Sequence, residues 1–188
     1  YLNQYYRIAL TSSIIKESDT MIQPVRQTMT DKGVKHLMSS EGVEYGVYLD
    51  SAGLPTIGVG HLITAKEHKQ GYLMIGGKRV SLESELNDSQ VMQLLRQDIA
   101  SREKAISRLV KVDLNSDQFD AVVHFVFNVG VSAFKGSGLL QDINAGNFSA
   151  VPEQLRLWNK VTLHGQKVVS KGLKNRREKE IERYKINA

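Results

Sequence analysis

The amino-acid sequence predicts an α+β fold, mostly α, with a small β-hairpin lobe and a helical lobe joined by a long helix. Three observations predict it. Strand-like alternation is confined to residues 45–61, a helical apolar period runs from Asn87 to Leu109, and the segment after Asn115 is apolar nearly all round, as a buried central helix is. Strands that come first and helices that follow, without regular alternation, argue against a parallel doubly wound sheet.

Residues 1–30 are rich in Ser, Thr, Gln and Tyr, and Pro24 interrupts any helix there, so they read as an N-terminal extension or linker. Thr30 is a fitting N-cap for a short helix carrying Val34, Leu37 and Met38, which ends near Glu41 with Gly42 just beyond it. Val47 and Leu49 then alternate with Tyr48 and Asp50, Ser51-Ala52-Gly53 supplies a turn, and Thr56-Ile57-Gly58-Val59 resumes strand composition, which predicts a hairpin with room for a third strand. Residues 64–80 read as an irregular connection with a short hairpin around Leu73 to Val80. Asn87-Asp88-Ser89 caps the long helix, whose apolar residues include Val91, Leu94, Leu95, Ile99, Ile106 and Leu109. Phe119 through Val129 form the central helix, with Gly130 as its stop. Shorter helices are expected at Leu139 to Asn144, at Pro152 to Trp158 and at Asn175 to Tyr184, Pro152 being tolerated in a first turn.

The length of 188 residues suits one catalytic-size domain, placed at 31–188, with enough chain to bury a core. The absence of cysteine excludes a disulfide scaffold, thiolate zinc sites and a cysteine nucleophile. Net charge +5 suits a polyanionic partner such as nucleic acid, anionic lipid or bacterial cell wall, and equally suits plain solubility. The longest apolar neighbourhood, Ala121 to Val131, is broken by His124, Asn128 and Gly130, so no membrane span is expected in this window. Tyr1 to Leu10 lacks the apolar centre of a signal peptide, and a first residue other than Met reads as a fragment or processed product.

For chemistry, the outstanding set is Glu41 at a helix end, Asp50 at a strand tip and Thr56 on the returning strand. Glycoside hydrolysis needs a protonated acid for the leaving oxygen and a second carboxylate to activate water or attack the sugar. Solvated helix-cap acids are the competing reading of the same spacing. Other motifs fail. Asp113 to Asp117 starts like a calcium loop, but Gln118 replaces the turn glycine and His124 the bidentate acid. Gly58-Val59-Gly60 lacks a dinucleotide fingerprint's third glycine, and His36, His68, His124 and His164 show no metal-ligand spacing. No metal or cofactor is therefore expected. Trp158 reads as core, and Arg176 and Arg177, with Lys174 and Lys179, read as a solvated helix face suited to anionic wall polymers.

Glu41-Gly42-Val43, Tyr48-Leu49-Asp50-Ser51-Ala52-Gly53 and Pro55-Thr56-Ile57-Gly58-Val59-Gly60-His61 together resemble the catalytic segment of the phage-type lysozymes, glycoside hydrolase family 24, which includes the T-even phage muramidase. Phe127-Asn128-Val129-Gly130, Phe134 to Leu140, Asn144-Ala145-Gly146, Trp158-Asn159-Lys160 and Gly172 to Glu178 resemble its later blocks in the same order, so the likeness spans about residues 31–186. The resemblance implies a lysozyme-like two-lobed fold and a muramidase that hydrolyses the β-1,4 bond between N-acetylmuramic acid and N-acetylglucosamine in peptidoglycan. It implies Glu41 as general acid, Asp50 as the carboxylate that activates or stabilises, and Thr56 as holder of the water. An inverting reaction is implied too, with carboxyl groups roughly 6.5 to 9.5 Å apart. Leu62, Phe127, Asn128 and Ser137 match positions along the sugar cleft, and His61 is expected to pair with Asp98 as structural support. Pro152 departs from the T-even member, which has an asparagine there. The alternative is a catalytically silent glycan-binding or structural module, disfavoured because no acid is lost; a nucleic-acid role lacks a motif. The implied partner is bacterial peptidoglycan, met in the periplasm or cell wall by an endolysin, by a virion component attached to tail proteins or by a wall-targeting bacterial toxin.

Overall fold

The computed structural model describes residues 27–163 and 165–186, so most of the expected extension lies outside the described residues. Met29 is already buried in the core, and Thr30 caps the first helix.

Helix α1 (Asp31–Glu41) is followed by strands β1 (Glu44–Leu49), β2 (Pro55–Gly58) and β3 (His61–Leu62), which form one antiparallel sheet in the order β1-β2-β3. Tyr48 stands opposite Thr56, and Ile57 opposite His61. Next come α2 (Ala65–Gln70) and a second hairpin of β4 (Tyr72–Ile75) and β5 (Lys78–Ser81). The long helix α3 (Asp88–Leu109) packs against β2, β3 and β4 and also against α1, α4 and α5. The helical body contains α4 (Ser116–Val129), α5 (Val131–Lys135), α6 (Gly138–Asn144), a 3-10 turn at Phe148–Ala150, α7 (Val151–Arg156) and α8 (Lys171–Tyr184), with a third hairpin of β6 (Lys160–Leu163) and β7 (Gln166–Val169) before α8.

Capping explains where the main helices begin. The Thr30 hydroxyl accepts from Gly33 N at 3.0 Å, and Asn87 and Asn115 each form reciprocal capping boxes with Gln90 and Gln118. Gly42 ends α1 at φ 86°, a left-handed value that an L side chain rarely adopts, and so turns the chain from α1 into the hairpin.

Helix α4 is the centre of the body: Asp117 through Val126 are all buried, and it packs on α1, α3, α5 and α8. Its two buried acids are met by Arg183 of α8, at 2.7 Å to Asp117 and 2.5 Å to Asp120. Asp120 also accepts from Thr30 N at 2.8 Å and from Thr30 Oγ1 at 2.5 Å, which fastens the start of α1 to α4. Gly33 gives that carboxylate its room, since a Cβ there would overlap it.

The structure departs from the sequence reading at five places. Residues 65–70 form α2, held by a Thr64–Glu67 capping box and Gly71, but with no buried residue they carry no apolar period. The short α5 begins at the glycine that ends α4. The β6–β7 hairpin is mostly exposed, so alternating burial does not mark its strands. Helix α8 starts at Lys171 rather than Asn175, because the Ser170 hydroxyl caps Leu173 N at 3.3 Å, while α7 stops at Arg156.

Candidate active site

Glu41 is the last residue of α1, and its side chain enters a cavity of about 280 Å³ shared with Val43, Tyr48, Val59, Gly60 and Phe127. The hairpin lobe supplies one wall and α4 the other. Its side chain is 15% exposed and meets two partners: Arg176 Nη2 lies 2.6 Å from Oε2, and His124 Nε2 lies 3.4 Å from Oε1. Burial pushes the carboxyl up, but the nearby His124 imidazole and the charge and hydrogen bond of Arg176 outweigh it and hold Glu41 below its ordinary value. Without a ligand, then, this group is a carboxylate at neutral pH.

Asp50 and Thr56 come together through the hairpin turn. Asp50 Oδ1 accepts from Ala52 N and Leu54 N, each at 2.8 Å, and Asp50 N donates to Leu54 O at 3.0 Å. The Thr56 hydroxyl donates to the same Leu54 carbonyl at 3.0 Å and is 2% exposed. One turn residue, Leu54, thus orients both side chains. Because the Thr56 proton is committed to Leu54, its oxygen remains available as an acceptor.

His61 pairs with Asp98 across the lobe boundary, Nδ1 lying 2.9 Å from Oδ1, and Glu67 stands 3.5 Å from Nε2. The hydrogen bond to Asp98 raises the His61 pKa, burial lowers it, and the charges of Asp98 and Glu67 add to the rise. A raised folded-state pKa means that this stabilisation is complete below the ordinary imidazole value of about 6.5 and is lost as pH climbs through the raised value. Asp98→Asn is therefore expected to cost about 1 to 3 kcal/mol near pH 5 to 6, and less above it. Thermal midpoints of parent and variant across that range check this; a pH-independent gap defeats the ion-pair account.

The residues matched to the sugar cleft fall into different surroundings. Leu62 is half exposed at the end of β3, and Phe127 lines the Glu41 cavity with the Arg102 guanidinium 5.0 Å above its ring. Asn128 Oδ1 accepts from Arg177 Nη2 at 2.9 Å. Ser137 is buried: its hydroxyl donates to Phe134 O at 2.7 Å and accepts from Leu140 N at 3.1 Å, so it caps α6. Pro152 is buried in the first turn of α7, and Trp158 packs edge-on to Phe125 at 5.4 Å.

Of the basic string on α8, Lys174 and Lys179 are exposed but the two arginines are not solvated. Arg176 reaches Glu41, and Arg177 is buried with Glu180 at 2.7 Å and the Phe125 ring at 5.0 Å. Sequence reasoning missed both of these, and His124 as well. No local signal in the string separates the arginines from surface charges, whereas a histidine inside an otherwise apolar helix was a visible anomaly. Among the described residues no group of three or more His, Asp or Glu side chains is placed to hold a metal. A larger cavity of about 900 Å³ near the α3–α4 connection is lined by one acid, Asp113, beside Arg108 and Lys111, so it offers no acid pair.

The family model described as phage lysozyme matches residues 38–180. The chain is 37% identical over 132 residues to the endolysin of Salmonella phage P22, covering 70% of this chain and 84% of that one. It is 34% identical over 161 residues to the SAR-endolysin of Pseudomonas phage phiKMV, covering 86% and 91%. Among solved structures, the endolysin from Escherichia coli O157:H7 phage FAHEc1 superposes with a TM-score of 0.71 at 35% identity, over 86% of this chain and 96% of that chain.

Proposed function

The chain belongs to the phage lysozyme family and is a peptidoglycan-degrading muramidase, a glycoside hydrolase of the lysozyme type; on that premise we propose that Glu41 is its general acid, Asp50 its water-activating carboxylate and Thr56 the group that positions the water. The observation that carries this reading is the half-buried Glu41 carboxyl in the cavity between the hairpin lobe and α4.

For Glu41 to act as an acid it must first hold a proton. A glycan strand in the cavity removes water from the carboxyl, which strengthens the burial effect, and competes with the partly exposed Arg176 for Oε2, which weakens the pull that holds this group down. Glu41 then gives its proton to the glycosidic oxygen as the C1–O bond of N-acetylmuramic acid breaks. Water attacks C1 from the opposite face and passes a proton to Asp50, whose other oxygen is held by Ala52 N and Leu54 N. Thr56 Oγ1 accepts a hydrogen bond from that water. The products are a strand ending in reducing N-acetylmuramic acid and one beginning with N-acetylglucosamine, with inversion at C1. His61 and Asp98 brace the hairpin against α3, and Leu62, Phe127 and Asn128 line the strand's path. The domain responsible begins near residue 31. On this reading the enzyme works at the peptidoglycan layer of the periplasm during host lysis.

Purified peptidoglycan digested by the full chain tests this directly. Mass spectrometry is expected to find reducing muramic acid ends, and proton NMR of the earliest product is expected to find the α anomer. A β anomer as first product rules out inversion. Predominantly 1,6-anhydro ends replace the water-activating role of Asp50 with an intramolecular attack.

A further inference from the structure

Behind Glu41 lies a contact that the mechanism above does not use. Glu41 Oε1, the oxygen turned away from Arg176, lies 3.4 Å from Nε2 of His124, which is 1% exposed. Glu41 Oε1 and both ring nitrogens of His124 are buried and make no conventional hydrogen bond among the described residues. The groups facing His124 are Glu41 and His36 from α1 and Arg176 from α8; His36 packs edge-on to it at 5.6 Å and itself faces Lys179, Glu182 and Arg183 of α8. Helix α4 places His124 one turn before Phe127, which lines the cavity, and brings the imidazole up behind Glu41.

We propose that His124 is a positioning residue for the general acid: its Nε2–H engages Oε1 and thereby makes Oε2, the outward oxygen that Arg176 covers in the free enzyme, the one that carries and delivers the proton. This rests on the assignment of Glu41 as the acid. A carboxylic acid has one carbonyl oxygen and one hydroxyl oxygen, and a donor fixed against one of them makes that one the carbonyl. A neutral imidazole has a single N–H. With Oε1 beside Nε2 and no acceptor at Nδ1, the Nε2–H tautomer gains a hydrogen bond, while the Nδ1–H tautomer buries an unpaired donor. Burial lowers the His124 pKa against the opposing pull of Glu41, which keeps the ring neutral while Glu41 cycles between acid and carboxylate. The same donor then serves both states, so proton delivery from Oε2 requires no rearrangement behind it. Because a donor favours the carboxylate over the acid, the arrangement also lowers the pKa of Glu41.

The test uses the full chain with Glu41→Gln, His124→Leu and His124→Gln, each compared with the parent on soluble, uncrosslinked glycan strands. His124→Leu has about the right volume and no donor. It is expected to lower kcat by about tenfold to a hundredfold with KM within about twofold, and to move the basic limb of the kcat/KM profile to higher pH. His124→Gln restores a donor and is expected to recover most of both. A His124→Leu enzyme with parental kcat and an unmoved basic limb overturns the proposal. Independently of any variant's folding, nitrogen-15 NMR of labelled histidine in the parent should show His124 neutral and protonated at Nε2 near pH 7; the Nδ1–H tautomer overturns it as well. Loss of activity in Glu41→Gln with a silent His124→Leu removes His124 alone, whereas a fully active Glu41→Gln removes the acid assignment together with this proposal.

Discussion

Glu41→Gln lowers turnover on peptidoglycan by about a thousandfold or more while leaving the thermal midpoint close to that of the parent. A positioned general acid contributes roughly 10² to 10⁴ in rate, and an amide of the same shape has no proton to give at neutral pH. The fold should tolerate the change, because the Arg176 guanidinium that loses its ion pair is 24% exposed and can recruit water. Release of reducing ends, with circular dichroism as the folding control, measures both quantities. Activity within tenfold of the parent removes Glu41 from the role of proton donor, whatever the products are.

Glu180→Ala damages the fold instead. Arg177 is 1% exposed and Glu180 fully buried, 2.7 Å apart, and the same guanidinium bonds Asn128 Oδ1 and covers the Phe125 ring. Burial pushes the Glu180 carboxyl up against the pull of Arg177. Deleting the acid leaves a buried guanidinium without its strongest acceptor, a change that typically costs about 3 to 5 kcal/mol. For a domain of this size the thermal midpoint should fall by roughly 10 °C. Differential scanning calorimetry at pH 7 checks it, and a fall under about 3 °C shows that water or Asn128 takes over the charge. Asn128 follows Phe127, which lines the cavity, so weakened substrate binding should accompany the loss of stability.

Much of this molecule is written in short-range signals. Thr30, Asn87 and Asn115 each mark a helix start because a side-chain oxygen satisfies an N–H three residues on, and Gly42 and Gly130 mark ends because only glycine readily takes their positive φ. The first hairpin was legible from its alternation and its turn, and with it the approach of Asp50 to Thr56. Helix α2 had a readable capping box, yet without an apolar stripe it gave no period, and β6–β7 failed for the related reason that its strands bury little. Ser137 at the start of α6 is another side-chain cap, its hydroxyl accepting from Leu140 N.

The element order, the hairpin carrying Asp50 and Thr56, and the helix ending at Glu41 could all be derived from neighbouring residues, since caps, turns and periodicity act over a few positions. The chemical state of Glu41 could not. Its cation, Arg176, is 135 positions away, and its inner neighbour, His124, comes from a different helix. Whether adjacent arginines such as Arg176 and Arg177 face solvent, a carboxylate or the core depends on how α8 is rotated against α4, and that rotation is set by packing among side chains far apart in the chain.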